Sequence, residues 1–155
     1  MIGYRTIGAA FFLMAVAAPA GAQTLKADPQ AIAGFLRGQG LSPVVKADTD
    51  GDPLIEAQIS ENNKFSVYFY NCTEHKDCTT LQFYAGYTDS KMDASKLNEW
   101  NRTKRFGRAY IDNVGDPVVE MDIDMTGGMP SALFADNYRF WKILMKDFPA
   151  FIYKE

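Results

Sequence analysis

One histidine, His75, and two cysteines, Cys72 and Cys78, are all that the 155-residue sequence offers a nucleophilic catalyst or a soft metal. A Ser–His–Asp or Cys–His unit would have to run through His75, which lies in a polar stretch beside Glu74, Lys76 and Asp77. Five residues separate the cysteines, which excludes a CxxC redox site. The patterns GxxxxGK, HExxH and GxSxG are absent. Basic residues are not in excess: 16 Lys and Arg face 19 Asp and Glu, a net charge of −3. Such a chain has no general attraction to nucleic acid or anionic lipid. Past residue 22 no apolar run approaches the roughly 20 residues that span a bilayer. What is plentiful is aromatic: 8 Tyr and 11 Phe argue for a packed, sheet-rich fold and against disorder.

The first 22 residues read as a secretory leader. Arg5 is the single charge of a short n-region, residues 7–18 are apolar, and Pro19 breaks the run. Ala20-Gly21-Ala22 is a small-x-small cleavage site ahead of Gln23. The expectation is a mature chain of residues 23–155, a single domain, periplasmic or secreted, with no integral membrane segment left after cleavage.

Local signals then set an order of elements. Asp28 and Pro29 form a cap and first position for a helix whose stripe is Ile32, Phe35 and Leu36. Strands are predicted over 42–48, 54–60, 65–72 and 79–87, with the acidic turn Asp48-Thr49-Asp50-Gly51-Asp52-Pro53 after the first. Both parities of 65–72 are apolar or aromatic, the mark of a central strand. A helix is predicted over 89–102 with Asp93 as a cap, then a hairpin of 106–112 and 117–125. A final helix over 131–147 carries Leu133, Phe134, Tyr138, Trp141, Leu144, Met145 and Phe148, and ends before Pro149. Helices do not alternate singly with strands, so the class is α+β: an antiparallel sheet with helices packed on one face.

Cys72 and Cys78 flank a predicted hairpin loop, and export would carry them into an oxidising compartment. A disulfide follows, adding about 2 kcal/mol for so short a loop. Its rival is a Cys72–His75–Cys78 metal site, which needs a fourth ligand from Glu74, Asp77 or water. The acidic turn imitates a calcium loop but has Pro53 and Ile59 where that motif needs Gly and Glu. Glu120, Asp122 and Asp124 alternate along one strand face, as hydrolytic acids or as a solvated face. Counting back across the turn places Arg108 opposite Asp122 and Tyr110 opposite Glu120, which favours cross-strand pairing. No metal and no cofactor is expected.

The runs Leu97-Asn98-Glu99-Trp100-Asn101, Arg105-Phe106-Gly107-Arg108-Ala109-Tyr110 and Val119-Glu120-Met121-Asp122-Ile123-Asp124, with Gly127-Gly128, resemble the YbjN family. Its members carry the label of bacterial sensory transduction regulators. Cys72 and Cys78 resemble the paired cysteines of its exported members. The resemblance covers nearly all of the mature chain and implies an α+β fold similar to type III secretion chaperones, which bind other proteins. It brings no catalytic residues with it. The expected function is a non-enzymatic, exported protein-binding or regulatory module, whose partner is another protein rather than nucleic acid. Trp100, Asn101, Arg105, Arg108 and Tyr110 are the interface candidates, with Tyr68 and Tyr84. The alternatives are a periplasmic small-molecule or metal binder using the Cys–His–Cys loop or the acidic turn, and a hydrolase using Glu120, Asp122 or Asp124.

Overall fold

In the computed structural model, residues 24–90 and 92–154 are described; the leader lies outside them. Asp28 starts the first helix: its carboxylate accepts the Ala31 N–H at 2.7 Å, and helix α1 (Pro29–Gly38) buries Ile32, Ala33 and Leu36. A short pair, β1 (Thr24–Leu25) and β8 (Met129–Pro130), ties the two ends of the domain together. Between them run β2 (Val44–Ala47), β3 (Pro53–Ser60), β4 (Asn63–Tyr70), β5 (Thr80–Gly86), β6 (Arg108–Ile111) and β7 (Pro117–Asp124). These six form one antiparallel sheet in the order β2-β3-β4-β5-β7-β6. Helices α2 (Ala94–Thr103) and α3 (Ser131–Ile152) complete the α+β architecture.

Alternation decides which face is covered. Phe65, Val67 and Phe69 of β4, Leu81 and Phe83 of β5, and Met121 and Ile123 of β7 are all buried. Trp141 of α3 meets Phe65 and Phe83 with ring centroids 5.9 and 5.5 Å apart. Phe35 of α1 sets its edge on Phe134 and Tyr138 of α3, and Trp100 of α2 on Phe148. All three helices therefore join the core on the odd-numbered side of the sheet.

Two connections share one design. Asp48 Oδ1 accepts the N–H groups of Asp50 and Asp52, both at 2.9 Å. Asp112 Oδ1 accepts those of Val114 and Asp116 at 3.0 and 2.9 Å. In each turn the fourth residue, Gly51 or Gly115, sits at a φ of +91° or +96° that glycine alone adopts freely, and a proline opens the next strand. The acidic turn thus spends its first carboxylate on its own backbone. The second turn is centred on Val114, so Arg108 pairs with Glu120 and Tyr110 with Val118. The register expected from sequence was two residues off, because the turn is set by the Asp112 carboxylate, not by Asn113.

The last helix also runs further than its proline suggested. Pro149 lies inside α3. Without an N–H it cannot bond the Met145 carbonyl, but Asn63 Nδ2 donates to that oxygen at 2.8 Å, and the Tyr87 hydroxyl donates to Asn63 Oδ1 at 2.9 Å. The helix then continues to bury Phe148 and Ile152. Leu133, expected in the buried stripe, is exposed. Asn63→Ala strands both the Met145 carbonyl and the Tyr87 hydroxyl, and should lower stability by about 2 kcal/mol in urea unfolding; an unchanged midpoint would show that water replaces the amide.

Candidate functional site

Among the described residues, no helix packs on the even-numbered side of the sheet. Tyr68, Tyr84 and Tyr70 gather there: Tyr68 meets Tyr84 edge-on at 5.8 Å and lies nearly parallel to Tyr70 at 6.3 Å. The Tyr70 hydroxyl donates to Gln82 Oε1 at 3.4 Å, and Gln82 Nε2 donates to Asp122 Oδ1 at 2.8 Å. Next to Tyr84 in the register is Glu120, among the described residues the one charged side chain that is buried, at 2% exposure. Arg108 Nε donates to one of its oxygens and the Tyr110 hydroxyl to the other at 3.2 Å. The Arg108 side chain is 67% exposed. Towards β2 the face hollows into a groove of about 530 Å³, lined by Val44, Glu56, Gln58, Lys64, Ser66 and Tyr84 among others.

Burial and the Glu120 charge push the Tyr110 phenol from 10.0 up to about 12. Burial first, then neighbouring acidic groups, raises Tyr70 and Tyr84 as well. Hydrogen bonding to Glu120 raises the Arg108 guanidinium. These phenols stay protonated donors at neutral pH. A raised phenol pKa stabilises the fold below pH 10, and that stability is lost as pH climbs towards 12. The stability advantage of wild type over Tyr110→Phe, read from urea midpoints, should therefore shrink as pH rises from 10 to 12; a difference that stays constant over that range would count against this titration.

The three alternating carboxylates do share this face, but each already has a donor. Glu120 takes Arg108 and Tyr110, Asp122 takes Gln82, and Asp124 takes the Thr126 N–H at 2.8 Å; the Thr126 hydroxyl first, then that N–H, holds the Asp124 carboxyl low.

At one end of the domain Cys72 and Cys78 form the disulfide read from their spacing. It closes a loop in which Glu74, His75 and Asp77 all adopt left-handed backbone. The loop leans on the acidic turn: His75 Nδ1 lies 2.9 Å from Asp52 Oδ1. Sequence treated these two acidic and sulfur-bearing segments separately, and only the sheet brings them together. Bonded sulfurs are withdrawn from metal binding, and among the described residues no group of three or more His, Cys, Asp and Glu is placed to hold an ion. A cleft of about 610 Å³ runs beside the loop, lined in part by Lys26, Asp28, His75 and Asp77.

The interface candidates scatter. Arg108 and Tyr110 stand on the open face, as do Tyr68 and Tyr84. Trp100 does not: it is 1% exposed, because α2 turns that stripe into the core. Asn101 is occupied by backbone, donating to the Ala109 carbonyl at 2.9 Å and accepting its N–H at 2.8 Å. Arg105 lies on the α3 side, with its guanidinium over the Phe106 ring. Gly107 is fixed by proximity, since a Cβ there would fall 2.5 Å from Leu144 Cδ1 and 3.0 Å from the Glu120 carbonyl. Sequence spacing missed Gln82 and Tyr70 as members of this cluster; the β4–β5 register sets Gln82 opposite Tyr68 and the β5–β7 register sets it opposite Asp122.

Fold and face together define an α+β domain with one helix-covered side and one open aromatic side. The chain belongs to the YbjN family, described as "putative bacterial sensory transduction regulator", which it matches over residues 28–153. That description names a regulatory role and no catalytic activity. No curated protein and no solved structure matches the chain.

Proposed function

We propose that this chain is a non-enzymatic, exported protein-binding module of the YbjN type, and that it holds its partner on the open sheet face. The observation that carries the reading is the tyrosine cluster around the fixed Arg108–Glu120 pair, bordered by the groove. Tyrosine and arginine on a pre-ordered surface are the side chains that contribute most at protein interfaces. The leader pattern and the disulfide support export, and the description of the family as regulators supports a protein as the ligand. A photo-crosslinking residue in place of Tyr84 should yield a discrete adduct in periplasmic extract, while the same residue at Gln39 should not. Equal labelling from both positions would sink the assignment of the face. Recovery of the protein from the cell interior with its leader uncut and both thiols free would sink the export.

The cleft beside the disulfide favours one second reading, a small-molecule or metal binder at that end. Elemental analysis with thiol counting separates the two: bound zinc with two free thiols belongs to the second alone.

A further inference from the structure

On the side of the domain away from the open face, the segment ahead of β6 crosses α3. Phe106 lies flat on Phe140, with centroids 3.8 Å apart and planes 9° from parallel. The Arg105 guanidinium lies 5.2 Å from the Phe106 centroid and that of Arg139 lies 4.6 Å from the Phe140 centroid. At 3.8 Å the facing sides of the rings are closed to each other. The two cations therefore occupy the outer sides, in a four-layer stack of Arg105, Phe106, Phe140 and Arg139.

Local stability does not account for this stack. Phe106 has a φ of +73°, a conformation that a bulky L-residue rarely takes. It is nonetheless 51% exposed, and Ile143, one turn beyond Phe140 on α3, is also exposed. A chain seeking only a tight connection would place glycine at that φ. Instead backbone strain holds an aromatic ring out on the surface. A guanidinium lying on a ring keeps its N–H edge free in the plane of the layer. Arg139 gives part of that edge to Asp136 at 2.9 Å, whereas Arg105 makes no ion pair among the described residues.

We propose that the Arg105–Phe106–Phe140–Arg139 stack is a second docking surface, for a segment of another protein that presents carboxylates next to apolar side chains. A carboxylate takes the free edge of Arg105 in two parallel hydrogen bonds, and an apolar neighbour covers Phe106 and Ile143. Charge decides between this occupant and an anionic membrane. Asp136 and Asp147 stand on the same stretch of α3, the second paired with Lys104 at 2.8 Å. They would be driven off a continuous sheet of negative headgroups but are passed by a single peptide. The surface is separate from the open face and owes nothing to it.

The test is a titration of isotope-labelled protein, disulfide intact, with a capped peptide of alternating glutamate and leucine. The same peptide with lysine for glutamate, and phosphatidylglycerol vesicles, are the comparisons. The glutamate peptide should saturate and shift amides of residues 104–107 and 136–143; the lysine peptide and vesicles should not. Arg105→Gln should weaken binding about tenfold. Phe106→Gly should weaken it as much while leaving the melting temperature unchanged or raised, because glycine accepts that φ. Equal affinity for wild type and Arg105→Gln, preference for vesicles, or no saturation would each overturn the proposal. A footprint confined to Tyr68, Tyr84 and Tyr110 would overturn it too, while supporting the open-face function.

Discussion

Replacing Trp100 by alanine is expected to lower the unfolding free energy by about 3–5 kcal/mol, measured by urea denaturation. The indole is buried, 4.9 Å from the Phe148 ring and 5.2 Å from that of Phe151, with the Lys104 ammonium 5.3 Å away. Alanine leaves a cavity where α2 meets the end of α3. A domain of this size is stable by about 5–15 kcal/mol, so the variant approaches the unfolding threshold. Trp100→Phe keeps most of the volume and should lose roughly a third as much. A variant that stayed as stable as wild type but lost partner binding would return Trp100 to the surface.

The second large effect is expected at Arg108. Its guanidinium and the Tyr110 hydroxyl are the donors to the nearly fully buried Glu120 carboxylate. Arg108→Ala leaves that charge facing one phenol. Breaking a fully buried pair costs about 3–5 kcal/mol; here the arginine is mostly exposed and water can replace part of it, so about 2 kcal/mol is expected. The double variant Arg108→Ala, Glu120→Gln should recover more than half of the loss, because the amide carries no charge to strand. If the single and double variants proved equally unstable, the arginine would matter for its packing and not for its charge. The same variants read function separately: Arg108→Ala in the double background should still fold, so lost binding there reports on the surface.

Where the physics is local, sequence was enough. Asp28 and Asp93 cap their helices because a short carboxylate reaches N–H groups three residues on. The β4 parity was legible because a strand buried on one side and aromatic on the other has no polar face. The disulfide was legible because two cysteines bracket a hairpin. Most of the failures involve partners far along the chain. Pro149 reads as a stop unless one knows that Asn63 satisfies the carbonyl it frees. The β6–β7 register missed by two, although the earlier Asp-x-x-Gly-Asp-Pro turn held the needed template. A stripe of Leu97, Trp100 and Asn101 reveals one face of a helix but not what that face meets; Leu97 and Trp100 went to the core and Asn101 to a strand edge. The tyrosine face was half legible: its members were named, while their neighbours Gln82 and Tyr70 depended on pairing across strands. The pairing of Phe106 with Phe140 had no local signal at all.

Asn101 has a bearing on how copies of this molecule can meet. By taking both the N–H and the C=O of Ala109, its amide occupies the outward edge of β6 at that residue. Among the described residues this leaves β2, where Val44 is exposed, as the less guarded edge of the six-stranded sheet, the side on which a strand from a second copy would meet fewer obstacles.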